Sequence, residues 1–297
     1  MRNCVISVMS DPCTLRDALR AEAVINFAIT GEGRCHARLT QVTLDGLRVA
    51  AIEETLPRIA FVRVPADRIL ISLPLDRASQ LYWGSMNGRA DELVMLTCSA
   101  EMQTRTEGPC RWGNIWFSVE DFSRYTTALL GQSLTLPDLP CVWRPPSGTA
   151  RALRRMHADT IRAAQTRPTA IGEAEPAHGL EQQLLHAAIN CLAGRPHTPS
   201  LASQHRQSLM SSLERLIADP SHDDLTAADI SRALGVSDHA LRRCCKLQLG
   251  MSPLSYLRLC RRRSAACAPT ATNRRLAALL PIPRLKQPVG TGRRSIG

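Results

Sequence analysis

The chain has 297 residues, of which 44% are hydrophobic and 21% charged, a composition that excludes full-length disorder, a collagen-like repeat and a coiled-coil rod. No run of about 18 uninterrupted apolar residues exists, which excludes a membrane-spanning helix. The net charge of +11 is unevenly placed: 24 basic and 25 acidic residues precede Ser237, whereas 13 basic residues and the single acid Asp238 follow, so a basic end on a neutral body points to a polyanion partner, nucleic acid before membrane surface.

The apolar start at residues 4–9 stops at Ser10-Asp11-Pro12, too short and too weakly basic for a secretory signal. Residues 37–44 then alternate apolar and polar, Asp45-Gly46 is a hairpin-type turn, and 47–52 resumes the alternation. Similar runs at 59–64, 69–75, 80–83 and 92–98, with Asn87-Gly88 as a further turn signal, predict an antiparallel sandwich or barrel. Helical spacing takes over at 119–130 and stops at Gly131. Pro137, Pro140, Pro145 and Pro146 mark a linker, followed by amphipathic helices at 150–165 and 180–192 and a second Pro-containing linker at 194–203. Eleven cysteines, an odd number with no CxxC pair, read as reduced thiols in a cytoplasm.

The sharpest chemistry lies in 204–263. Leu209, Leu213, Leu216 and Ile217 share one helix face, and Pro220 closes that helix. Thr226 with Asp229 three residues on is a capping box. The helix it opens places Ile230, Ala233 and Leu234 inward and ends at Gly235, a residue suited to a left-handed terminal position. Ser237 caps a second helix, 238–247, with Leu241 and Cys244 inward. A small residue at the crossing (Ser231), glycine in the turn, apolar Leu234 and Val236 around it and Leu241 inside the second helix meet the steric needs of a helix-turn-helix. Vicinal Cys244 and Cys245 point about 100° apart on a helix, so one is expected in the core and the other part-exposed. After Gly250, Ser252 caps a third helix with Pro253 at its first position, where no amide donor is needed, and Tyr256 can lock that helix to the domain.

These residues carry a resemblance. Leu225-Thr226-Ala227-Ala228-Asp229-Ile230-Ser231-Arg232-Ala233-Leu234-Gly235-Val236-Ser237, then Leu241-Arg242-Arg243 and Leu249-Gly250-Met251-Ser252-Pro253-Leu254-Ser255-Tyr256-Leu257-Arg258, resemble the AraC/XylS family of transcription regulators. The resemblance implies that helix 253–263, with Arg258, Arg261, Arg262 and Arg263, corresponds to the connecting helix between two DNA-binding subdomains. It also implies an α+β chain: a β-rich, cupin-like sensor or dimerisation domain over 1–135, a helical linker over 136–203 and an all-α helix-turn-helix domain over 204–263. The runs 38–44 and 113–117 look like such sensor domains. Two departures stand out. Residues 264–297 hold Pro269, Pro281, Pro283 and Pro288, no Phe or Tyr and no acid, so the family's second helix-turn-helix is absent or replaced, leaving a basic tail expected to be disordered. Cys245 stands where the family places a bulky core aromatic.

The partner implied is double-stranded DNA. His239, Arg242 and Arg243 occupy the outward face of the second helix and match the positions at which family members touch bases, where arginine can grip guanine with two hydrogen bonds. Lys246, Arg258, Arg261 and Arg262 are assigned to phosphates, which position without specifying. The structural positions of the motif are Ser231, Gly235, Val236, Ser237, Leu241, Ser252, Pro253 and Tyr256. A small-molecule effector and a homodimer are implied by the family, with no membrane association. No cofactor, catalytic group or metal is expected: the β-rich half has only His36, and Gly84-Ser85-Met86-Asn87-Gly88 lacks nucleophile-elbow spacing. Trp83, Trp112, Trp116 and Trp143 read as β-core residues rather than an effector pocket. The alternative is a DNA-incompetent remnant that still dimerises or binds effector.

Overall fold

The computed structural model describes residues 2–266 except 77, 79, 85, 90, 198, 199 and 220–224, and leaves the side chains of 87, 170, 195 and 262–266 undescribed. The β-rich half contains β1 (Asn3–Met9), α1 (Pro12–Leu19), β2 (Val24–Ile29), β3 (Ala37–Thr43), β4 (Leu47–Glu54), β5 (Arg58–Arg63), β6 (Arg68–Pro74), β7 (Leu81–Trp83), β8 (Met86–Asn87), β9 (Leu93–Thr97), β10 (Glu101–Thr106) and β11 (Cys110–Ser118). The helical half contains α2 (Val119–Leu130), β12 (Cys141–Arg144), α3 (Thr149–Thr166), α4 (Pro168–Gly172), α5 (Ala174–Leu192), β13 (Arg195–His197), α6 (Leu201–Ala218), α7 (Ala227–Ala233), α8 (Asp238–Leu249) and α9 (Pro253–Ala266). It is a mixed α and β chain, β-rich at first and helical at the end.

The strands form two sheets, ordered β1-β3-β4-β11-β6-β9-β12-β13 and β2-β5-β10-β7-β8, and the described pairs are antiparallel. Side chains alternate across a strand, and here both faces of the larger sheet are covered. Ile69, Ile71, Ile115, Phe117, Leu93 and Met95 meet the helices α2, α3 and α5. Leu70, Val94, Leu96, Trp112 and Trp116 meet the smaller sheet. The smaller sheet is in turn covered on its outer face: Ile59 of β5 belongs to the same apolar cluster as Met210, Leu213, Ile230, Leu241 and Tyr256 of the C-terminal helices.

Several expectations are corrected. Asn87 lies in β8 opposite Tyr82, and the chain reverses instead at Gly84, where φ is +59°. The first proline-marked linker contains β12, which pairs with β9, and the second contains β13 and the start of α6. Residues 136–203 therefore supply two strands to the larger sheet, and Leu153, Ile161, Leu184 and Leu185 of this stretch enter the main core. Ala233 is exposed rather than inward. Cys245 is as buried as Cys244. Among the described residues nine cysteines take part in no disulfide, but Cys13 is disulfide-bonded, against the expectation of a wholly reduced set. Pro220 and residues 267–297 lie outside the described residues. Among the described residues no helix is long and apolar enough to cross a membrane.

Candidate nucleic-acid interface

The capping box opens α7 as its spacing predicts. Thr226 Oγ1 accepts from the Asp229 amide at 3.3 Å, and the Asp229 carboxylate accepts from the Thr226 amide at 3.1 Å. The Thr226 hydroxyl also donates to the Asp229 carboxylate at 2.6 Å, and this bond first, then the Thr226 amide, hold that carboxyl below its ordinary range. The helix ends through Gly235 at φ +65°, whose amide reaches Arg232 O, while the Val236 amide reaches Ser231 O. Ser237 Oγ then accepts from the Ala240 amide at 3.2 Å and starts α8. Gly250, φ +75°, closes α8 on Lys246 O. Ser252 Oγ caps α9 through the Ser255 amide at 3.1 Å, with Pro253 buried at the first position.

Burial divides α8 cleanly. Leu241, Cys244, Cys245, Gln248 and Leu249 face the core, whereas His239, Arg242, Arg243 and Lys246 are exposed. The exposed four follow i, i+3, i+4, i+7 spacing and so form one stripe along the helix. Their surroundings differ. Arg242 is held by Asp238 one turn back at 2.9 Å, and Lys246 Nζ donates to Gly250 O at 3.2 Å. Arg243 forms no ion pair among the described residues. Arg258 is exposed on α9, Arg261 is half-buried, and the Arg262 side chain lies outside the described residues. Burial pushes the Cys244 thiol up to about 11 and Cys245 to about 12. Both therefore stay protonated at neutral pH, which does not suit a thiolate switch.

Behind this unit sits a feature absent from the sequence expectations. Glu214 of α6 is 3% exposed and accepts hydrogen bonds from Tyr256 Oη of α9 at 2.5 Å, Asn26 Nδ2 of β2 at 2.7 Å and Gln103 Nε2 of β10 at 3.2 Å. No lysine or arginine pairs with it among the described residues. Burial drives its carboxyl above the ordinary range, against these three donors. Tyr256 of α9 is buried, and its hydroxyl donates to this carboxylate.

The sandwich interior holds a second polar group of residues. Arg58 bonds Glu54 at 3.0 Å and Thr104 Oγ1 at 2.5 Å. Glu22 accepts from Asn114 at 2.8 Å and from Trp116 Nε1 at 2.7 Å. A cavity of about 20 Å³ lies among them, lined by Arg58, Ser72, Trp83, Thr104, Trp112 and Asn114, which is room for one water. Trp83 Nε1 and Asn114 Oδ1 have no hydrogen-bond partner among the described residues. Trp143 is purely a core residue, whereas Trp83 and Trp112 also line the cavity. No cluster of three potential metal-ligating side chains occurs among the described residues.

No family model and no curated protein matches the chain. Solved structures similar in outline include the AraC-like transcriptional activator CuxR, 15% identical over 88% of this chain and 94% of that one, with a TM-score of 0.45. Two forms of ToxT from Vibrio cholerae also align: an apo lysine-to-alanine variant at 11% identity, 73% and 98% coverage and TM-score 0.30, and the O395 protein at 8%, 72% and 97%, and 0.29.

A sequence signal for Glu214 did exist. Met210, Leu213, Glu214 and Ile217 occupy one i, i+3, i+4, i+7 stripe, so a carboxylate stood on the face meant for the core.

Proposed function

We propose that the chain is a sequence-specific, double-stranded-DNA-binding transcription regulator of AraC/XylS type that reads a major groove with α8. The observation that carries this is the exposed stripe His239, Arg242, Arg243 and Lys246 on the second helix of a capped helix-turn-helix whose opposite face is buried. Arg243, which forms no ion pair among the described residues, is the main base-reading residue. Arg242 reads a base after parting from Asp238, and His239 stands one turn nearer the helix start. Lys246 and the α9 arginines Arg258, Arg261 and Arg262 meet phosphates. Residues 1–135 serve sensing or dimerisation, 204–263 bind DNA, and two copies supply two half-sites. A small effector belongs to the same reading; the sandwich cavity admits one water as it stands, too little room for such a molecule.

The test is selection of binding sites from a random duplex pool by the purified chain at near-physiological salt. A short enriched motif whose binding weakens steeply with salt is the expected result. No retained duplex at any salt and no enriched motif would favour the DNA-incompetent reading.

A further inference from the structure

Strand β10 has two different duties on its two faces. Thr104 points into the sandwich, where its hydroxyl accepts from the Arg58 guanidinium beside the cavity. Gln103, the preceding residue, points outward and donates to Glu214. Neighbouring residues on a strand face opposite ways, so one strand separates the cavity from the DNA-reading unit, and a shift of its backbone is felt on both sides.

The outer contact is specific. Glu214 gathers donors from β2, β10 and α9 while itself belonging to α6, so four elements meet at one carboxylate. Gln207 of α6 adds a bond to Glu101 O of β10 at 2.6 Å, and Asn26 Nδ2 also reaches Cys260 Sγ at 3.6 Å. Around these bonds Ile59 packs into the helix-turn-helix core. The end of α8 approaches the same sheet, since a Cβ added at Gly84 would lie 3.0 Å from Gln248 Oε1. The exposed stripe of α8 is left free, so the docked unit can meet DNA without leaving the sheet.

A buried carboxylate with no cationic partner among the described residues is costly, and losing a donor to it costs more than an ordinary hydrogen bond. A contact of this kind fixes one arrangement rather than a range of them. We propose that Glu214 is the positioning residue that holds α6 and α9 in one orientation on the smaller sheet, and that changes at the Thr104 cavity reach the DNA-reading unit through Gln103 and Glu214. The proposal rests on the reader assignment above; the cavity enters only as the space beside Thr104. It is an energetic coupling between two sites through one strand, so both sites must bias the same contact.

The experiment uses the full-length chain and hydrogen exchange at α6 and α9, with no DNA present. Glu214→Ala should speed exchange in both helices at least tenfold while the larger sheet stays at the wild-type rate, and Glu214→Gln, which keeps an acceptor at the same place, should recover most of the protection. Thr104→Val touches neither helix, yet should speed α9 exchange severalfold. In a Tyr256→Phe background, where the contact is loosened without removing the carboxylate, the same Thr104→Val change should have a clearly smaller effect. Equal effects of Thr104→Val in the two backgrounds, or none at α9, would overturn the coupling, and full loss of protection in Glu214→Gln would overturn the positioning role. If Glu214→Ala does not fold, the Tyr256→Phe and Glu214→Gln arms decide alone. Because exchange is read without DNA, failure to bind any duplex would sink the functional reading and leave this result intact.

Discussion

Arg243 and Arg242 are neighbours with the same chemistry and different freedom. Arg242 shares its guanidinium with Asp238 at 2.9 Å, so a base must displace that carboxylate, whereas Arg243 has no such ion pair to give up among the described residues. Arg243→Ala should therefore lower affinity for a selected site by about 1–3 kcal/mol and relax preference at one base pair. Repeating the site selection with the variant checks this, and an unchanged motif would remove Arg243 from base reading. His157 gives a prediction of another kind. It is fully buried, its Nε2 lies 3.0 Å from Ala50 O, and desolvation lowers its pKa from 6.5 to about 4. The unfolded chain then binds the proton more readily than the folded one, so stability is complete above the unfolded value and falls as pH drops from 6.5 toward 4. The loss should approach about 3 kcal/mol. Urea unfolding across that range should show the loss, and His157→Gln should flatten it. The reader stripe was legible because helix spacing is local. The Glu214 contact was not, because its partners lie 188, 111 and 42 residues away.

Local rules also explain which elements could be read. The β3–β4 hairpin, α2, α7 and α8 each carry their own turn or cap, and each was recognisable from it. Strands β12 and β13 were hidden by prolines. β12 is four residues long and bracketed by Pro140 and Pro145, and Pro196 is tolerated in β13 because that strand forms the edge of the larger sheet. Their place in the sheet is set by pairing with β9 and with each other, which no short window of sequence records. The turn of the reading motif is purely local and can be tested as such. Gly235 has φ +65° and open space around a would-be Cβ, so Gly235→Ala meets no clash and only the left-handed backbone penalty, about 1 kcal/mol. Thermal or urea unfolding should show that loss with a well-formed fold. A much larger loss would mean that the turn is packed against something beyond its own backbone.

At the scale of the molecule, the proposed reader helix α8 belongs to a helical unit that packs on the smaller sheet, and further basic residues lie in 267–297. A regulator with two reading motifs per subunit can engage successive grooves, but the described residues contain one such proposed motif, α7–α8, followed by α9. Each subunit should then protect one groove's worth of bases. Lys246, Arg258, Arg261 and Arg262 together would give a salt slope of roughly −4 in a log–log plot. The tail carries Arg274, Arg275, Arg284, Lys286, Arg293 and Arg294, which should steepen that slope and raise affinity for selected and random duplexes alike. Arg262→Ala should make the slope shallower by about 1. Deleting residues 267–297 should make it shallower by several and cost selected and random duplexes the same factor, so that their affinity ratio is unchanged. Footprinting and salt titration of the purified full-length and shortened chains decide the matter. Protection of two adjacent grooves per subunit, or a deletion that weakens only the selected site, would show that the tail reads sequence and that α8 does not carry specificity alone.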